Sequence, residues 1–158
     1  MKMGSDQVCY TYEGALEAAI AMEEQGFRNY LQAMATVQQK GAKEILRENA
    51  LDELNHKHQL ERALVEGQME GAGLQKQLPT MNLTAIFPKK ELGPDSGVRD
   101  ALLYAIHLEK EAVEFYGKVA DGCSGAPMAV LFARLKAEES SHLQRLEDLY
   151  EQHFMTEN

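Results

Sequence analysis

The chain contains itself twice. One gapless offset of 86 residues, the spacing from Glu23 to Glu109, superposes Ala15 on Ala101, Leu16 on Leu102, Ala19 on Ala105, Ile20 on Ile106 and Tyr30 on Tyr116. The same offset superposes Glu53 on Glu139, His56 on His142, Leu60 on Leu146 and Glu61 on Glu147. Whatever one copy folds into, the other must fold into as well, and the two must cover each other's apolar surface.

Inside each copy the repeated positions recur at alternating steps of four and three, the signature of one buried face on a helix. Four stripes result. The first reads Leu16, Ile20, Glu23, Phe27, Tyr30, Met34, Val37, and the third reads Leu102, Ile106, Glu109, Val113, Tyr116, Ala120. The second is Leu46, Asn49, Glu53, His56, Leu60, Ala63, and the fourth is Phe132, Leu135, Glu139, His142, Leu146, Leu149. Breaker residues divide the stripes into helices over about 11–40, 42–67, 97–120 and 126–154, with Gly41 closing the first, Ser96 capping the third and Pro127 opening the fourth. Pro79, Pro88 and Pro94 fall together between 68 and 96, which predicts one long crossover loop. Leu74, Leu78, Met81, Leu83, Ile86 and Phe87 lie in that stretch and predict that it packs along the helices. The expected fold is all-α: one domain over 1–158, two helical hairpins joined by a long crossover, which is ferritin-like connectivity in a four-helix bundle.

Composition narrows the partners. Against 16 Lys and Arg stand 25 Asp and Glu, a net charge of −9, which argues against nucleic acid and against anionic membrane surfaces. No apolar run is long enough for a membrane span, and MKMGSDQVCY carries no apolar core of a secretory signal, so a soluble, cytoplasmic protein is expected. Cys9 and Cys123 stand alone, with no Cys-x-x-Cys motif, so any metal must be held by carboxylate and imidazole.

Such a set is present at the middle of the stripes. An ionised carboxylate in an apolar core costs several kcal/mol unless it is partnered, and no cation lies on these stripes to offset four of them. Glu23, Glu53, His56, Glu109, Glu139 and His142 supply one Glu from each of two helices and one Glu-x-x-His from each of the other two. Residues three apart on a helix share a face, so each Glu-x-x-His can chelate one ion or two neighbouring ions. Two divalent ions balance four carboxylates, and the mixed oxygen and nitrogen donors suit iron, manganese or zinc better than calcium or magnesium.

The pattern Glu23 to Tyr30, Glu53-Leu54-Asn55-His56, Glu109 to Tyr116 and Glu139-Ser140-Ser141-His142 resembles the diiron domain of the rubrerythrin family, over about residues 11–154. The resemblance implies two non-haem iron ions, with zinc or manganese as substitutes. It implies Glu53 and Glu139 as bridging ligands, Glu23 and Glu109 as terminal ones, and His56 and His142 as one imidazole per metal. Tyr30 and Tyr116 look like the family's tyrosines that support the catalytic centre from behind the ligands. Implied too are reduction of hydrogen peroxide, an external electron donor such as a separate rubredoxin, and a homodimer. Two departures stand out. The rubredoxin domain of full-length family members is missing from this sequence, and their additional glutamate three residues after the third-helix ligand is here Ala112, whose repeat mate is Gly26. That small pair is expected to leave space beside the metals for a peroxide or dioxygen molecule.

Other readings remain at this level. A ferroxidase or iron-handling protein using dioxygen or peroxide fits the same ligands, and a non-catalytic metal-binding or scaffold bundle is the alternative of another class. The glutamates could sit at a wet end of the bundle, and the two tyrosines could be ordinary core aromatics. Glu24, Glu111 and Glu138 neighbour the ligands but fall off the stripes and are expected on solvated helix faces, and His58, His107 and His153 are not expected among the ligands.

Overall fold

A computed structural model describes residues 11–67 and 79–155. Four long helices carry the chain: α1 Tyr12–Thr36, α2 Lys40–Glu66, α3 Val98–Gly122 and α4 Pro127–Tyr150. One 3-10 turn, Leu83–Ala85, lies in the crossover, and one π-helical turn, Glu151–Met155, extends α4. Helices α1 and α2 form one hairpin and α3 and α4 the other, in a ferritin-like four-helix bundle.

Local chemistry sets the helix ends. Thr11 Oγ1 accepts the Gly14 N–H at 3.1 Å at the start of α1, with Glu13 in the first turn. Gly67 closes α2 in the left-handed conformation, φ 81°, which costs glycine nothing, and its N–H donates to Ala63 O at 2.8 Å.

Three expected boundaries move. Helix α1 ends at Thr36 rather than near residue 40, because buried Val37 turns extended and Gln38 and Gln39 complete a three-residue link. Gly41 therefore sits in the first turn of α2 instead of closing α1. Its role is steric, since a Cβ there would approach Val98 Cγ2 to 2.7 Å where α2 meets the start of α3. Ser96 does not cap α3; its hydroxyl accepts the Gly93 N–H at 2.9 Å and closes the preceding turn, leaving Gly97 at the cap position. Asp121 and Gly122, beyond the expected end of the third helix at about residue 120, complete α3, because its hydrogen bonding continues to the Cys123 N–H, which donates to Val119 O at 3.1 Å.

Two apolar clusters fill the bundle. One gathers Tyr30, Leu46, Leu102, Ile106, Leu143 and Tyr150, and the other Leu16, Leu60, Tyr116, Leu131, Phe132 and Leu135. The ionisable stripe residues fall where one cluster gives way to the other, so the glutamates lie midway along the bundle and not at a wet end. No described helix is long and apolar enough to cross a membrane.

The described part of the crossover packs on the bundle as its apolar residues require. Leu83 is buried and Met81 and Phe87 are half-buried against the first cluster, whereas Ile86 is exposed; Leu74 and Leu78 lie outside the described residues. The tether is Glu147 on α4, which is buried. Its carboxylate accepts the Thr80 hydroxyl at 2.8 Å, the Met81 N–H at 3.1 Å and the Leu83 N–H at 3.3 Å. His107 serves the same strap, its Nε2 lying 2.8 Å from Phe87 O. Glu61, the repeat mate of Glu147, is exposed. Hydrogen bonds to a charged group contribute about 1.5–3 kcal/mol, and buried donors left without an acceptor cost as much, so Glu147→Ala should lower stability by about 3 kcal/mol and Tm by roughly 10 °C. Glu61→Ala should move Tm by less than about 2 °C. Thermal melts of both variants check the difference.

Candidate metal centre

Each helix delivers its ligand-type side chain to one cross-section of the bundle. Glu23, Glu53, Glu109 and Glu139 are all 5% exposed or less, and the His56 and His142 side chains are 13% and 15% exposed. Donor atoms of Glu23, Glu53 and Glu139 lie within 4.8 Å of one another, as do those of His56, Glu139 and His142. Glu139 belongs to both groups. His56 Nδ1 lies 3.2 Å from Glu139 Oε1 and 3.5 Å from Glu23 Oε1, while His142 Nδ1 is 3.9 Å from Glu139 Oε2. The two imidazoles stack with centroids 4.6 Å apart. Glu109 joins from α3 through its neighbour on α1, accepting the Tyr30 hydroxyl on Oε1 at 3.4 Å.

The two tyrosines cross between the hairpins. Tyr30 on α1 reaches Glu109 and the Ala105 carbonyl on α3, and Tyr116 on α3 reaches Glu23 at 3.2 Å and the Ala19 carbonyl on α1. Burial and the surrounding carboxylates push both phenols well above their ordinary pKa, so each remains a donor.

Four carboxylates cannot all ionise in so small a volume. Burial raises Glu53, Glu109 and Glu139, and the charge on neighbouring glutamates raises them further. Burial also acts to raise Glu23, but hydrogen bonds from Glu53, His56 and Glu139 overcome it and hold the carboxyl down at about 2. His142 is lowered to about 3 by burial and by the charge on His56. Burial works against a charged His56 as well, yet ionised Glu23 beside its ring raises it.

Three buried atoms show what the cluster lacks. Glu109 Oε2, Glu139 Oε2 and His142 Nδ1 have no hydrogen-bond donor or acceptor facing them when the carboxyls are ionised. Such atoms cost about 1–3 kcal/mol each. Protons retained on the carboxyls, or cations placed among them, would remove that cost. The donors are carboxylate oxygen and imidazole nitrogen, which fit iron, manganese or zinc; the one described cysteine, Cys123, belongs to the second apolar cluster.

Charged neighbours off the stripes are otherwise engaged. Glu24 pairs with Arg28 at 2.6 Å and Lys57 at 2.7 Å, Glu111 with Lys89 at 2.7 Å, and Glu138 with Arg134 at 3.5 Å. His58 and His153 are exposed.

A model of the rubrerythrin family matches residues 14–157. The chain belongs to the rubrerythrin family. No curated protein and no solved structure matches it. Rubrerythrins are diiron proteins of the ferritin-like fold, and the carboxylate and histidine cluster of this rubrerythrin is compatible with that cofactor class.

The space expected beside Gly26 and Ala112 is there. A cavity of about 160 Å³ opens between α1 and α3 and reaches Glu23, Glu53 and Tyr30. Its walls are repeat mates: Met22 and Leu108, Gly26 and Ala112, with Gln25 and Glu111 at the rim. Reading the offset one residue ahead of Glu23 and Glu109, at Met22 and Leu108, is the signal that finds its apolar walls. Gly26 also lets Glu53 lie against α1, since a Cβ there would come within 3.1 Å of Glu53 Oε2.

The pKa directions predict how metal-free protein responds to pH. Above about pH 7 the unfolded carboxyls and histidines have lost their protons, while folded Glu53, Glu109 and Glu139 retain theirs as far as their raised pKa values allow. Stability is then lost as pH rises, by about 1.4 kcal/mol per pH unit for each retained proton. Loading with Zn(II) should raise Tm and flatten the slope, because the bound form needs no retained protons. Melts across pH 7 to 9 with and without zinc test this; a metal-free Tm that does not fall with pH contradicts it.

Proposed function

We propose that this rubrerythrin is a diiron oxidoreductase that reduces hydrogen peroxide to water with electrons from an external donor such as a separate rubredoxin. The observation that carries the reading is the juxtaposition of the buried cluster of Glu23, Glu53, His56, Glu139 and His142, with Glu109 beside it, and a cavity that reaches two of its glutamates from solvent. Glu23, Glu53, His56, Glu109, Glu139 and His142 would hold two iron ions. When bound in the ferrous state the pair supplies one electron per ion to cleave the O–O bond of peroxide, and two protons complete two waters.

The remaining work falls to the chain. Tyr30 and Tyr116 donate to Glu109 and Glu23 and fix the orientation of those two carboxylates across the hairpin boundary. Ala112 and Gly26 keep the approach to the centre open, and Met22 and Leu108 give it apolar walls that limit water. Protons enter from solvent at the rim, where Gln25 donates to Asn29 Oδ1 at 2.9 Å. We further propose a homodimer in the cytoplasm as the working form.

A second reading has one observation in its favour. Ala112 replaces the additional glutamate that the family resemblance places there, which removes a carboxylate otherwise available for ligand exchange during peroxide reduction. A centre without it could act as a ferroxidase, oxidising Fe(II) with dioxygen. Stopped-flow mixing of the reduced, iron-loaded protein separates the two. The peroxidase reading expects reaction with hydrogen peroxide to exceed that with dioxygen by at least about tenfold in rate, some 1.4 kcal/mol of barrier. The reverse order favours the ferroxidase, and full occupancy by zinc with no reaction toward either oxidant favours a non-catalytic bundle. In the same assay Ala112→Leu should lower peroxide turnover by about tenfold or more while metal content stays at the wild-type value.

A further inference from the structure

The cavity beside the centre is larger than hydrogen peroxide requires. A water-sized molecule needs about 10–15 Å³ of such space, so a two-oxygen substrate fills a small part of the 160 Å³ between α1 and α3. A cavity of roughly 150 Å³ accommodates a benzene ring. The polarity is graded along the cavity. Its buried inner end presents Glu23, Glu53 and the Tyr30 hydroxyl, its half-buried middle is walled by Met22, Leu108, Gly26 and Ala112, and its exposed rim, with Gln25 and Glu111, is polar again. A glutamate at position 112 would place a long charged side chain in that middle section; the methyl group of Ala112 leaves it apolar and open.

Such a gradient suits a molecule with an oxidising polar head and a short hydrocarbon tail. We propose, resting on the peroxide-reducing reading above, that this site also accepts small alkyl hydroperoxides, with the hydroperoxide group toward Glu23 and Glu53 and the alkyl group between Met22, Leu108 and Ala112. The O–O bond breaks, the alkyl-bearing oxygen leaves as the alcohol and the other as water. The two electrons come ultimately from the external donor and the two protons from solvent at the rim. Burial of a four-carbon tail against these side chains contributes binding that hydrogen peroxide cannot obtain. Each methylene in a fitted apolar pocket is worth about tenfold or more in discrimination, so the alkyl substrate should gain in KM what it loses in access.

Two measurements on the full chain test the proposal. In the first, the iron-loaded protein with a reducing donor is assayed with tert-butyl hydroperoxide and with hydrogen peroxide. The kcat/KM values should agree within about tenfold, and Ala112→Val, which fills the middle of the cavity, should lower the tert-butyl to hydrogen peroxide ratio by about tenfold. In the second, zinc-loaded protein is titrated with tert-butanol, the alcohol product, and followed by amide NMR. Saturable shifts confined to Met22, Gly26, Leu108 and Ala112 support the site without reference to turnover. Tert-butyl hydroperoxide turned over about a thousandfold less efficiently than hydrogen peroxide, or shifts that do not saturate, would overturn the proposal and leave the peroxide-reducing reading intact. Turnover of neither oxidant, with iron bound, would remove both.

Discussion

Mutual repulsion among four buried carboxylates is the constraint on which the rest of this structure depends. Glu23, Glu53, Glu109 and Glu139 come from four different helices and meet in one slice of the bundle, between two apolar clusters that would otherwise be one continuous core. A cluster of this kind opposes folding in the absence of cations or retained protons. The same feature turns to advantage once cations enter, because binding confined to the folded state adds its free energy to folding. The apolar clusters on either side act as clamps that hold four repelling groups at the separation two ions need.

Rigidity at the centre is built from the repeat. Each tyrosine spans from one hairpin to a buried glutamate of the other, so Tyr30 and Tyr116 fasten the two copies together while aiming Glu109 and Glu23. The symmetry is incomplete in ways that bear on function. Glu139 lies in both donor groups and Glu53 in only one, His56 and His142 shift in opposite directions, and the described part of the crossover is tied to buried Glu147 while its mate Glu61 is exposed. Two half-sites that began alike in sequence thus meet different surroundings, and the two metal positions they would form are not equivalent.

Helical architecture, the six clustered residues and the two tyrosines were legible in the sequence, because a stripe of fixed period and a gapless offset both survive translation into three dimensions. What escaped depended on relations between helices that a one-dimensional pattern does not carry. Gly41 looks like a helix terminator and is instead a point of close approach to Val98. Ser96 has the chemistry of a cap but spends its hydroxyl on Gly93 one turn earlier. Glu147 matches Glu61 under the offset and yet is buried, since only one copy is followed in space by the crossover. The cavity was foreshadowed by Gly26 and Ala112, but its extent rests on Met22 and Leu108, whose half-buried side chains line it while also packing against the two apolar clusters.

All of these features turn on the claim that the buried cluster is built for two metal ions. An anaerobic titration of metal-free protein with Fe(II), followed by metal analysis after removal of weakly bound ions, tests it most directly. The account predicts two tightly held equivalents per chain, one for each half of the repeat, and fewer when His142 is replaced by Ala. A single equivalent, or none, would contradict it and return the four glutamates to the status of an unexplained cost.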